Sequence, residues 1–230
     1  MHTLKPAFKA SLPIVIGYLP IAFAFGMTGV VNGLPIELIL AMSAFIYAGA
    51  SQFILLAAIH TGTYWPLIIG LCALMDIRHF LYGTVLMSKL PDGFKQKLGF
   101  AFLLTDEVFA TALVKISQHP KSDRLNWACW LGGISYLTWF IGTTLGALAG
   151  VSLSAKIPLL TTVMPFALPA LFIVLVYESL TPFTRLPMLV SALVAAILYL
   201  QGMTALALLG GALSGCVITL IRSKFTHAVI

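Results

Sequence analysis

Apolar stretches long enough to cross a bilayer recur along the whole chain, separated only by short polar breaks. A helix needs about 20 apolar residues to span the hydrocarbon layer. Such stretches fall at roughly 12–31, 36–59, 64–88, 98–118, 126–150, 158–180, 187–200 and 204–221. Turn chemistry marks the breaks: Asn32-Gly33 with Pro35, Thr61-Gly62, Pro91-Asp92-Gly93, Pro120, Pro158, Thr181-Pro182 and Gln201-Gly202. Only 13 Lys+Arg and 7 Asp+Glu occur in 230 residues, where a soluble domain of this length carries roughly 57 charges. The mean hydropathy of +1.03 agrees. A soluble enzyme, a disordered chain and a nucleic-acid binder are excluded. The expected fold is all-α, a polytopic membrane protein of seven or eight transmembrane helices, some broken or re-entrant, forming one transmembrane domain over 1–230.

The net charge of +6 is a matter of orientation, because basic residues mark cytoplasmic loops. Lys5 and Lys9 place the N-terminus inside, as do Lys115, Lys121 and Arg124 for their loop, then Arg185, and then Arg222 with Lys224. Eight spans satisfy all of these. The loop with Lys89, Lys95 and Lys97 disagrees, since it then falls outside. Either it breaks the rule or a preceding segment is re-entrant. Lys5 and Lys9 before an apolar stretch with Ala22-Phe23-Ala24 resemble a cleavable signal. Pro13, Gly17, Pro20 and Gly26 within it point instead to a retained first helix.

Cys72, Cys129 and Cys216 are too scattered for a metal or redox pair and are expected as small core residues. Gly29/Gly33, Gly142/Gly146/Gly150 and Gly211/Gly215 stand one helical turn apart, a spacing that lets transmembrane helices pack closely. No phosphate-binding G-x-x-x-x-G-K-[ST] occurs, nor H-E-x-x-H nor G-x-S-x-G. ATP-driven work and intramembrane hydrolysis are therefore not expected, and no cofactor or metal is implied.

The informative residues are the polar ones at depth, each costing about 2.5–3.5 kcal/mol on insertion scales when charged. Met75-Asp76-Ile77-Arg78-His79 lies near the middle of one span. On a continuous helix Asp76 and His79 share a face and Arg78 projects elsewhere. A polar site is one reading; two shorter helices, or mutual neutralisation of Asp76 and Arg78, are the alternatives. Thr105-Asp106-Glu107 lies inside the next span. One carboxylate can pair with Arg78, or Thr105 caps a helix with both acids in its first turn, which a broken helix also allows. Tyr47-Ala-Gly-Ala-Ser-Gln-Phe53 has small residues around Ser51 and Gln52, and Gly49 can release the helix there; ordinary packing is the alternative. Glu178 reads as interfacial, and His60 and His119 as solvated loop residues.

These three motifs, with Leu81-Tyr-Gly83, Ser11-Leu-Pro-Ile-Val15, Phe23-Ala-Phe-Gly26 and more weakly Leu168-Pro-Ala-Leu-Phe172, strongly resemble signatures of the AzlC family. The resemblance implies the large subunit of a bacterial branched-chain amino acid exporter in the inner membrane. It implies work with a small AzlD-type membrane subunit, on valine, leucine and isoleucine, with methionine as a further substrate. The candidate substrate-binding residues are Asp76, Arg78, Asp106, Tyr47, Ser51, Gln52 and Tyr82. His79 and Glu107 are the candidates for carrying a coupling proton. A channel, or a scaffold for the small subunit, is the rival expectation.

Overall fold

The computed structural model describes residues 2–91, 94–157 and 180–227, with isolated positions between 158 and 179. The expected span 158–180, the motif 168–172 and Glu178 lie largely outside the described residues. The chain divides into two compact units, Met1–Leu168 and Pro169–Ile230.

The first unit contains α1 (Leu4–Val31), α2 (Ile36–Phe45), α3 (Gly49–His60), α4 (Trp65–Asp76), α5 (Arg78–Met87), α6 (Phe94–Phe102), α7 (Asp106–Lys115) and α8 (Arg124–Lys156). Among the described residues, three stretches are long and apolar enough to cross a membrane: Leu4–Val31, Trp65–Met87 and Arg124–Gly150. Helices α2 and α3, at 10 and 12 residues, reach only ~15 and ~18 Å, about half a bilayer each. Much of the surface is apolar, as a lipid-facing protein requires. Phe45 and Phe80 are 80% and 79% exposed.

α1 and α8 run parallel and act as the ruler for everything else. Gly142 faces Leu19 and Ala22, Gly26 faces Thr143 and Ala147, Gly146 faces Phe23, and Gly150 faces Met27, so the contact climbs both helices in step. A Cβ on Gly26 would lie 2.1 Å from the Thr143 carbonyl oxygen, and one on Gly146 2.0 Å from that of Phe23. Only glycine permits this approach, which supplies dispersion contact where lipid gives helices no hydrophobic drive. The Gly29/Gly33 pair behaves differently. Gly29 packs on Ile39, whereas Gly33 meets no neighbour and adopts φ +81° in the turn after α1.

Measured against α8, α2 and α3 form a hairpin that enters and returns. Going along α2, Ile39 packs at Gly29, Ser43 donates to Thr143 Oγ1 at 3.1 Å, and Tyr47 just beyond packs on Tyr136. Going along α3, Gly49 meets Trp139, Phe53 packs on Phe25, and Leu56 joins Ile39 and Ala147 in one cluster. Depth is gained and then given back. α4 starts at that same end and descends; its Asp76 reaches Ser51, and α5 continues to Lys89 at the opposite end.

α6 and α7 form a second hairpin entering from that opposite end. Arg124, opening α8, donates to the carbonyls of both Lys89 and His119 at 3.1 Å, and Lys97 reaches Met87 O at 3.3 Å. The tip lies deeper, with Leu103 on Gly132 and Phe102 on Tyr136. His119, soon after α7, is back beside Trp127. A continuous helix from 94 to 115 would separate its ends by ~33 Å. Two of the expected spans, 36–59 and 98–118, are thus hairpins whose tips meet at mid-depth.

This corrects the placement of the 89–97 loop. Ala7 and Ala10 share a cluster with Leu125 and Trp127, so Lys5 and Lys9 lie at the end that also holds Lys89, Lys97, Lys115, Lys121 and Arg124. The re-entrant alternative removes the conflict with the positive-inside pattern. We call this the basic end and its opposite the far end. His119 is also corrected: it is half-buried, its ring stacked 4.7 Å from that of Trp127. His60 is exposed as expected.

The second unit contains α9 (Arg185–Leu200) and α10 (Thr204–His227), joined through Gly202 at φ +78°. Gly211 and Gly215 pack on Ser191, as their spacing predicts, and Ser191 donates to Gly211 O at 2.6 Å. Arg222 donates to Phe183 O at 2.9 Å. Cys216 is exposed, whereas Cys72 and Cys129 are half-buried, so the core expectation fails for Cys216; all three are free thiols.

Candidate functional site

Three interruptions of helix lie at mid-depth in the first unit, one in each hairpin and one in the central span α4–α5. Backbone groups freed inside a membrane must find partners within the protein, and identifiable side chains support each break. Tyr136 donates to Ala44 O at 3.0 Å, taking a carbonyl near the end of α2. At the central break Phe80 N turns to Ile77 O at 3.2 Å rather than to Asp76 O, and His79 Nδ1 takes Asp76 O at 2.9 Å. A carbonyl only accepts, so Nδ1 carries the proton in that bond. In the basic-end hairpin, Thr105 Oγ1 accepts from Val108 N at 3.3 Å, with Asp106 and Glu107 in the first turn. Both expectations for that motif, a cap and a broken helix, are met together.

Gly49 does not release the far-end hairpin. Tyr47 does, as the one described non-glycine residue with positive φ, at 40°. Such a conformation costs of order 1–3 kcal/mol and persists only where packing enforces it. Here the ring is wedged against Tyr136 at 4.9 Å and Phe102 at 6.4 Å. Gly49 serves another purpose: a Cβ there would lie 2.8 Å from the Trp139 ring.

The polar residues form two groups. Ser51 donates to Asp76 Oδ1 at 2.8 Å. Arg78 pairs with Asp106 Oδ2 at 2.8 Å, and Tyr82 donates to Asp106 Oδ1 while stacking on Phe109 at 4.3 Å. Asp76 and Arg78 therefore do not neutralise each other; two positions apart in the central span, they reach different hairpins. Glu107 turns the other way, to the hydroxyl of Tyr18 on α1, which also lies 2.6 Å from Thr105 Oγ1. The single Tyr18 hydroxyl therefore sits between the Glu107 carboxyl and the Thr105 hydroxyl and bridges them. Tyr18 and Tyr136 were not singled out from sequence. Each is a lone tyrosine on an apolar helix, and its partner lies roughly ninety positions away.

Between the two tips and the central break is a pocket of about 200 Å³, open on the side of the exposed Ile46 and Phe102 and called the cavity below. Its lining combines Asp76 and His79 with Tyr47 and Ala48 of one tip, Phe102 and Leu104 of the other, and Ile46 and Ala101 beside them. That is space for several waters or one small solute. Tyr47 Oη and both amide atoms of Gln52 are buried without a protein partner, and such groups are ordinarily satisfied by water or ligand. Of the expected site residues, Tyr47, Asp76 and His79 line the cavity. Ser51 holds the lining residue Asp76, and Gln52 is buried next to Ser51 in α3. Arg78, Tyr82 and Asp106 form a cluster of their own outside the lining, and Glu107 faces α1. Among the described residues, no cluster of His, Cys, Asp and Glu could hold a metal ion.

Residues 13–153 match the family model described as AzlC protein. The chain is 38% identical to the "Inner membrane protein YgaZ" of Escherichia coli over 98% of this chain and 93% of that protein. It is 32% identical to an uncharacterized membrane protein of Archaeoglobus fulgidus over 94% of this chain and 96% of that one. It is also 26% identical to the "Branched-chain amino acid transport protein AzlC" of Bacillus subtilis, over 76% of this chain and 67% of that protein. No solved structure matches it. With well over half its length covered by the family model, and with relatives above 30% identity along nearly all of it, the chain belongs to the AzlC family, whose proteins work in membrane transport.

Proposed function

We propose that this protein is a proton-driven secondary exporter of branched-chain amino acids (valine, leucine and isoleucine, with methionine as a further substrate) in the bacterial inner membrane. It acts with a small AzlD-type membrane subunit, and its basic end faces the cytoplasm. The observation that carries the reading is the cavity where two opposed hairpin tips meet a broken span. Discontinuous helices present their ends to substrate at the midplane in many transporters.

The cavity's chemistry suits a zwitterion with an apolar side chain. Asp76 offers a carboxylate on the cavity wall to an ammonium group. α3 begins directly after Ala48, which lines the cavity and provides no side-chain cap, so its first-turn amides are suited to the substrate carboxylate. Ile46, Ala101, Phe102 and Leu104 supply the wall for a branched side chain. Arg78 is engaged by Asp106 and is not part of this lining. His79 and Glu107, each held by a defined partner, are the groups assigned to the coupling proton.

The test is export from cells preloaded with a valine-containing dipeptide. Asp76→Asn should abolish valine efflux against its gradient while the protein still reaches the membrane in normal amount. Unchanged uphill efflux from that variant sinks the reading. Efflux that only runs downhill and ignores the proton gradient identifies a channel instead.

A further inference from the structure

We infer that the two hairpins are the two gates of this site, latched to opposite sides of the break in the central span, with Ser51 and Tyr82 as the positioning residues of the latches. The inference deepens the transport reading and rests on it. Asp76 is the last residue of α4 and Arg78 the first of α5, so the break at Ile77 falls between the two latching groups. Ser51 ties the far-end hairpin to Asp76. Arg78 and Tyr82 tie the basic-end hairpin to α5 through Asp106. Each half of the central span is therefore joined to a different hairpin, and the cavity lies where the halves and the tips converge.

The chain order supports a two-gate device. A crossing followed by a hairpin occurs twice, as α1 with α2–α3 and as α4–α5 with α6–α7, and the two copies have opposite orientation. Inverted repeats of this kind give alternating access when one repeat rocks against the other.

The latches are unequal. Freeing the far-end tip breaks the Ser51–Asp76 bond and the Cys72 thiol's contact with Ser51 O on the central span, and the neutral Ser43–Thr143 and Tyr136–Ala44 bonds to α8. Freeing the basic-end tip breaks an ion pair, the Tyr82 bond to the same aspartate, and the Tyr18–Glu107 and Tyr18–Thr105 bonds to α1. Of the two latches only the basic-end one contains an ion pair, so from this conformation the far-end gate is the one that opens. The substrate itself supplies the trigger. An ammonium group arriving at Asp76 competes with the Ser51 hydroxyl for the same carboxylate, so occupancy loosens the far-end latch while the basic end stays shut. That sequence releases cargo in the direction of export.

The test uses the full chain with its partner subunit in membranes, with Cys72, Cys129 and Cys216 replaced by alanine and Ala48→Cys as a half-buried reporter on the cavity wall. A membrane-impermeant maleimide is applied to right-side-out and to inside-out vesicles. Ser51→Ala should speed far-side labelling roughly tenfold, the effect of losing one hydrogen bond to a charged group, and leave basic-side labelling unchanged. Ser51→Thr, which keeps the hydroxyl, should restore the slow rate. Tyr82→Phe should speed basic-side labelling by a smaller factor, because Arg78–Asp106 remains. Saturating valine should speed far-side labelling of the Ser51 protein and add little to Ser51→Ala. The gate assignment is overturned if both variants alter labelling from the same side, or if neither alters it. If the variants open opposite sides but valine changes nothing, the gates stand and the amino-acid reading falls.

Discussion

The two hairpins are built from helices of similar length, yet they are secured by different forces. The far-end hairpin is held by shape: the forced Tyr47 wedge, Ile39 on Gly29, Phe53 on Phe25, and neutral hydrogen bonds from Ser43 and Tyr136. Its one tie to a charged group is Ser51–Asp76. The basic-end hairpin is held by charge, with Asp106 and Glu107 adjacent in its first turn and directed to different neighbours, α5 and α1. Packing contacts are lost steeply with separation, whereas charge acts over a longer range. A gate held by shape releases once displaced; a gate held by charge resists for longer and answers to protonation and to cations.

The largest expected effect on this contrast comes from Arg78→Ala. It leaves Asp106 with only Tyr82 at the deep end of α7, and valine export from dipeptide-loaded cells should fall by more than about tenfold with protein level unchanged. Export above half the normal rate would mean that charge does not secure the basic-end hairpin. Next come two glycines that abut the two tips. A Cβ on Gly132 would lie 2.7 Å from Leu103 Cβ and 3.2 Å from its backbone oxygen, so the tip backbone must move. On Gly49 the obstacle is the outer edge of the Trp139 ring, which can shift. Gly132→Ala should therefore cost about 2–3 kcal/mol and Gly49→Ala about 1 kcal/mol by thermal unfolding in detergent. The reverse order would contradict the packing described for the tips.

Smaller again is a change of preference. Ala101 is the smallest side chain on the cavity wall from the basic-end hairpin, and Ala101→Leu should lower leucine export several-fold relative to alanine in a competition assay. An unchanged ranking would remove this wall from the side-chain pocket. The smallest effect belongs to Thr105→Ala, which removes a helix cap worth about 1 kcal/mol. It also removes a hydrogen-bond partner of Tyr18, and a double cycle with Tyr18→Phe should show the two losses to be non-additive.

The polar core of the site was legible because charge inside an apolar stretch is costly. Asp76, Arg78, Asp106 and Glu107 stood out for that reason alone, and so did a pairing of Arg78 with one of the two adjacent carboxylates; that the partner is Asp106 and not Glu107 is read from the structure. The hairpins were not legible from hydropathy, since 10 and 12 apolar residues with a three-residue gap have the same average as one full crossing. The clue was electrostatic: the misplaced lysines of the 89–97 loop. Tyr18 and Tyr136 escaped notice because a tyrosine carries no charge to betray its depth, and Tyr47's backbone conformation has no sequence mark at all.

The Tyr136–Ala44 hydrogen bond also bears on how the protein is made. Its two residues are 92 positions apart, and at about 5–20 residues per second the ribosome needs roughly 5–18 s to travel from one to the other. Thr143 and Trp139, which receive Ser43 and Gly49, emerge later still. For that interval the far-end hairpin has neither the length to cross the bilayer nor the partners that satisfy its turned backbone. It must wait at the membrane surface or in the care of the insertion machinery until α8 arrives. A ribosome-bound chain halted before Tyr136 should therefore leave α2 and α3 open to protease, and one halted after Gly150 should protect them.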